Sequence, residues 1–278
     1  KGTDATQAFT ALFATPGALQ LDALETLVCA ANLPIKVGAG VLSEIKVIQL
    51  SSEAAPALTA RYNEGRFETF SEGNDVRIAR SNVDEISLTQ ADDELVIAAL
   101  GSSPLTVHSG AGQDVYEVNF VSDQPTDNGR LTFATASSEN ALVNDTITLN
   151  LARVDVSYSD NIVYAGTNSD GHIEVRVGRE TVIIEDDVRT LNLVGDVMRI
   201  RTLDGAESID LGTAIVNISG NVLDLQGNLK AGDIIIDMRD QLTLAGQLTT
   251  LTSAGEATIL GSPKLNYGSK PLAEGAVD

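Results

Sequence analysis

The sequence predicts an all-β fold: a parallel β-solenoid, triangular in section, with about 25 residues per turn. Three observations predict it. First, LNLVGDVMRI (191–200), VNISGNVLDL (216–225) and LTLAGQLTTL (242–251) repeat one phrase: apolar, Asn or Thr, apolar, any residue, Gly, a polar residue, then a second apolar stretch. Repeats of roughly 20–50 residues mark stacked architectures, because one unit alone cannot bury its apolar face. Second, the period inside each phrase is two, that of a strand with one face buried. Third, no proline stands between Pro125 and Pro263, as suits a backbone that donates to a neighbouring turn at nearly every position.

Each turn is expected to hold three short strands. Leu191 with Leu193, Val216 with Ile218 and Leu242 with Leu244 form the first. Gly195, Gly220 and Gly246 follow at a shared corner, where the chain bends and a side chain would obstruct it. Met198 with Ile200, Leu223 with Leu225 and Thr249 with Leu251 form the second strand; Ile209 with Leu211, Ile234 with Ile236 and Thr258 with Leu260 form the third. Stacking at this interval puts Asn192, Asn217 and Thr243 in an outward polar ladder, and Glu174, Arg199 and Asp224 in a ladder of alternating sign. Both are read as solvated faces that set register, since exposed charge pairs contribute under about 1 kcal/mol each.

The pattern extends backward. Ile173–Val177 is expected one turn below 198–200, and Val182–Ile184 one turn below 209–211. Earlier strands are centred on Val163, Val154, Ile147, Leu131, Val115, Leu105, Leu95, Ile86 and Val76, with TASSENALVND (135–145) as a small, polar loop. This places the solenoid at 76–262, with a closing segment and tail at 263–278. Residues 1–75 break the period and read as an N-terminal cap or junction. LDALETLVCAAN (21–32) spaces Leu21, Leu24, Leu27 and Val28 as a short helix, with Cys29 a core thiol on its apolar face, and strand-like LPIKV and EIKVIQL follow.

Composition narrows the function. Lys and Arg number 18 against 39 Asp and Glu, a formal charge of −21. Nucleic-acid binding, which needs basic side chains to neutralise phosphate, is excluded as an expectation, and so is docking on anionic lipid. No run of about 18 apolar residues exists to insert in a membrane. Trp is absent and aromatics are 4%, which disfavours a stacking platform for bases or sugars. A single cysteine excludes an internal disulfide framework and a cysteine-built zinc site. The start at Lys1, without Met, reads as a processed chain or a piece of a larger one.

The residues GSPKLNYGSKP (261–271) resemble the closing signature of the GIN-type head domain of bacterial surface adhesins, with Gly261, Ser262, Leu265, Tyr267 and Pro271 in place. Pro263 stands where that signature has glycine, and Gly268 is displaced by one. The run 218–250 is similar to filamentous-haemagglutinin-type repeats. The resemblance covers under a third of the chain. It implies a right-handed β-helix, secreted or at the cell surface, that adheres or assembles without catalytic residues. Its partners would be other copies, neighbouring modules, or a host or matrix glycan.

Catalytic signatures are missing: no phosphate loop with Lys, no nucleophile elbow, no paired-His motif and no dinucleotide fingerprint. The acidic clusters ADDE (91–94) and EDD (185–187) read as solvated corners. SGAGQDVYE (109–117) resembles a degenerate calcium repeat, which makes Asp114 a candidate calcium ligand, with Asp75 in EGND (72–75) a poorer one. The competing reading, which we prefer, is a tight turn capped by Asp114, with His108 a surface or partly buried side chain beside it. The leading expectation is thus a non-catalytic structural or adhesive module, with a carbohydrate-active β-helix enzyme or a virion fibre as alternatives. No cofactor is expected beyond calcium.

Overall fold

The computed structural model describes residues 26–30, 47–51, 59–69, 77–78, 83–88, 91–120, 129–134, 144–151, 162–185 and 187–267. Regular structure in these residues is strand throughout, mostly parallel, in a strongly curled sheet of β-helix-like character.

Two long columns of parallel strands carry the architecture. The first begins with β1 (Thr26–Ala30) and β2 (Val47–Ser51) and continues through β6 (Glu85–Ser87), β8 (Leu105–His108) and β10 (Arg130–Ala134). The second begins with β3 (Thr59–Asn63), on which β4 (Arg66–Thr69) and β5 (Arg77–Ile78) fold back antiparallel. It continues through β7 (Glu94–Ala99), β9 (Val115–Asn119) and β11 (Thr146–Asn150). Next in that column come the first halves of β15 (Thr190–Thr202), β17 (Ile215–Gln226) and β19 (Asp233–Ala245), and then β21 (Ala257–Gly261). The second halves of β15, β17 and β19 lie parallel to one another and end against β22 (Lys264–Tyr267). A third, short sheet stacks β16 (Ser208–Asp210), β18 (Asn228–Ala231) and β20 (Leu248–Thr250).

Between the regular parts sits a meander. β12 (Val163–Thr167), β13 (Ile173–Val177) and β14 (Glu180–Ile184) pair antiparallel, with β14 on β10 and β12 on the second half of β15. Ile173–Val177 and Val182–Ile184 therefore do not lie one turn below 198–200 and 209–211. The turn Val177–Glu180 folds β13 back on β14, and Gly178 there adopts φ 58°, a left-handed conformation that glycine takes at no steric cost. A local hairpin outcompetes the longer parallel connection.

The short helix expected near residue 25 is also corrected. Leu27, Val28 and Cys29 lie in strand β1, paired with Ile48, Gln49 and Leu50; Leu21 and Leu24 are outside the described residues. TLVCA is as short and apolar as a strand, and a parallel partner decides a run too brief for periodicity to classify.

The interior is built from aligned rows. Leu95, Tyr116, Ile147, Leu191, Val216 and Ile234 stand opposite one another on successive strands of the second column, all buried. Burying each aliphatic side chain in such rows contributes about 1.5–3 kcal/mol relative to exposure.

Two of the three repeated phrases stack as expected. Asn192 faces Asn217, Gly195 faces Gly220 and Arg199 faces Asp224. The third is out of phase: Ile218 faces Ile236, and Leu242 faces Leu223 of the next strand half. Thr243 consequently lies opposite Asp224 and not Asn217. A Cβ on Gly220 would run into the Gly195 carbonyl, whereas one on Gly246 would meet the carbonyl of Gly227 at a different corner. The cause is unequal turns. Between β15 and β17 the chain makes an extra loop at 203–207, whereas between β17 and β19 the four residues of β18 nearly fill the connection.

Candidate functional site

The second column starts each of three successive strands with an aspartate: Asp93 before β7, Asp114 before β9 and Asp145 before β11. All three are buried, at 2%, 1% and 0% exposure. They form a chain of side chain to backbone bonds along the stack. The Asp93 N–H donates to Asp114 Oδ1 at 2.8 Å, and the Asp114 N–H to Asp145 Oδ1 at 2.9 Å. Asp114 Oδ2 turns inward and accepts from the Tyr116 hydroxyl at 3.1 Å, and the Tyr116 ring meets Phe133 edge to face, centroids 4.8 Å apart. Asp145 Oδ2 is buried and finds no hydrogen-bond partner among the described residues.

Such a corner holds protons tightly. Burial pushes the Asp114 carboxyl up to about 6, opposed by the Asp93 amide and reinforced by the Asp93 charge. Burial pushes Asp145 up to about 7, opposed by the Asp114 amide and reinforced by the Asp114 charge. The Tyr116 phenol is raised well above its ordinary value by burial first and by the two aspartates second. Low-dielectric surroundings penalise the charged form of each group.

This geometry bears on the calcium candidates. Asp114 lies in the turn that resembles a calcium repeat, but both of its oxygens are engaged, one by an amide and one by a phenol. Among the described residues no cluster of His, Cys, Asp and Glu has the arrangement to hold a metal ion. Asp75 is outside the described residues. His108 lies on the outer face of β8, 3.4 Å from Glu85, in keeping with a surface role.

The outer ladders are partly as expected. Asn217 Nδ2 donates to Asn192 Oδ1 at 2.8 Å and Asn192 Nδ2 to Thr148 Oγ1 at 3.0 Å, so the ladder runs toward β11 and omits Thr243. Glu174 does not join Arg199: it sits on β13 opposite Gly166 and Ile183, and its carboxylate accepts from Asn168 Nδ2 at 3.3 Å. Arg199 and Asp224 are opposite in register, yet the Asp224 carboxylate takes Arg201 Nη2 at 2.8 Å, while Arg201 Nη1 donates to the Asp224 carbonyl at 3.0 Å.

Sequence reasoning takes ADDE (91–94) for a solvated corner, whereas its Asp93 is buried at the start of a strand, and it does not single out Asp145 or Arg201. A signal exists for the aspartates. DELVI, DVYEV and DTITL each open an alternating strand on Asp, but unequal spacing hides them from a search at one period. No protein-family model matches the chain, and neither a curated protein nor a solved structure matches it.

Proposed function

We propose that this chain is a non-catalytic structural or adhesive module of the secreted or cell-surface kind, a right-handed triangular β-solenoid whose side-chain chemistry serves to hold turns in register. One observation carries the reading: two of the buried acids that the fold gathers, Asp114 and Asp145, each give an oxygen to a backbone amide of the neighbouring turn. General acid and base pairs need a reachable proton donor and acceptor beside a substrate, and the Asp114 carboxylate instead faces an amide and a core tyrosine.

Supporting the solenoid are side-chain bonds between turns at intervals of 21, 25 and 23 residues along the chain. Right-handedness is supported by the strong chirality of crossovers between parallel strands of one sheet. A surface of net charge −21 keeps separate modules apart in solution, and a mostly parallel stack with a continuous apolar interior makes a stiff spacer. The test is two-fold. Electron microscopy of purified protein should show short rods, the stack rising about 4.8 Å per turn, and incubation with acidic and neutral polysaccharides should release no products. Depolymerisation of a polysaccharide would replace this reading with the enzymatic one.

A further inference from the structure

The last described turn, made by β20, β21 and β22, forms one end of the stack. Each of these strands has a ladder partner on one side only among the described residues. The core rows reach it unfinished: Ile236 is fully buried but its neighbour Ile259 only partly, Leu242 is buried but Leu265 only partly, and Leu229 is buried but Leu248 only partly. Leu251 and Leu260 on the same turn are 47% and 45% exposed. Open strand edges flanked by apolar side chains are templates for association.

Charge marks the same place. Residues 246–267 hold one acid, Glu256, and one base, Lys264, in a chain of net charge −21. This end adds no net charge to a self-repelling molecule, so two copies can meet there at little electrostatic cost. Direction then follows from geometry. If two like ends meet, the sense of one coil is reversed relative to the other and strands across the contact run antiparallel, the slightly stronger pairing. Such a contact closes on itself.

We infer that the C-terminal turn docks the same turn of a second copy of this chain, giving a two-fold dimer joined end to end. The inference rests on the stacked module proposed above and names its partner. A contact confined to one turn of each copy should be weak, with a dissociation constant on the order of 10–100 µM. Sedimentation velocity of the full chain from roughly 5 to 500 µM should show monomer passing to dimer. Leu260→Lys and, separately, Leu251→Lys should each weaken the dimer at least ~10-fold with unchanged circular dichroism. Val115→Lys, at an equally exposed valine in the middle of the second column, should leave it intact. A monomer at every concentration, a dimer indifferent to both leucine substitutions, or fibres that grow without limit would overturn the inference. The first of these would leave the module reading standing as a lone rod, which polysaccharide cleavage tests separately.

Discussion

Replacing Asp145 by Asn should make the protein's stability less dependent on pH. In the native corner Asp145 titrates near 7 against an ordinary 3.8, because burial disfavours its charge and Asp114 adds repulsion. Between those values the folded state keeps a proton that the unfolded chain releases, so stability falls as pH rises through the window. Below the unfolded value both states are protonated and no penalty exists; above about 7 the penalty is complete and constant. A tenfold gain in proton affinity is worth about 1.36 kcal/mol, so the rise from 3.8 to about 7 amounts to roughly 4 kcal/mol. Relaxation of the surrounding structure around a charge buried at 0% exposure lowers this to ~2 kcal/mol. For a chain of this size that is about 4 °C in Tm. Asn keeps the acceptor oxygen that receives the Asp114 amide and removes the charge. Melting followed by circular dichroism at pH 4 through 8 should therefore show the Tm difference, variant minus wild type, rising by ~4 °C across the range. Repulsion among the other surface charges changes equally in both proteins and cancels. A difference that stays constant with pH, or one that shrinks as pH rises, would refute the assignment of a buried, proton-holding carboxyl.

Other substitutions test the rest of the stack. Gly220→Ala should cost about 1–3 kcal/mol in urea denaturation, because its Cβ would run into the Gly195 carbonyl of the turn below. Asn192→Ala should destabilise more than Asn217→Ala, by ~1 kcal/mol, since Asn192 takes part in two ladder bonds and Asn217 in one. Arg201→Ala should cost ~1–3 kcal/mol by removing a half-buried guanidinium that bonds both the side chain and backbone of Asp224. Calcium or a chelator should leave the Tm unchanged, and a calcium-dependent rise abolished by Asp114→Ala would restore the metal reading.

Much of this architecture is legible in the sequence because a strand writes its buried face directly as alternation. Ile86, Leu95, Leu105, Leu131 and Ile147 all fall in strands and are all buried, whereas Val115 is 45% exposed and its neighbour Tyr116 takes the core position. What alternation does not encode is which strand lies beside which. LTLAGQL matches VNISGNV letter for letter in type, yet stacks on the second half of β17, because the intervening connection is shorter than its predecessor. Pairing depends on loop length, and a fixed interval of 25 averages over connections that differ. The meander at β12–β14 is hidden for a similar reason: a hairpin and a stacked turn bury the same alternating residues. The site fares likewise. Asp114 stands out for its glycine-rich neighbourhood, but its role follows from Asp93 and Asp145, which lie 21 and 31 residues away.

Those two intervals suggest how a parallel stack with unequal connections keeps one register. Where the spacing of stacked strands matches the repeat of the phrase, as between β15 and β17, identical residues coincide, and paired asparagines and paired glycines suffice. Where loops of different length intervene, sequence identity cannot align the strands, and a single hydrogen bond must do so locally. An aspartate placed just before a strand does this: its oxygen reaches the amide that opens the adjacent strand, whatever the length of loop between them. The same device recurs with the partners reversed, the Gln113 amide on Asp92, the Gln247 amide on Asn228 and the Glu256 amide on Asp233. A one-residue slip would turn every core side chain toward solvent, a cost far above the few kcal/mol of burying Asp145. A proton-holding acid at the corner is thus tolerable, since the amide it fixes determines where the whole apolar row beside it falls.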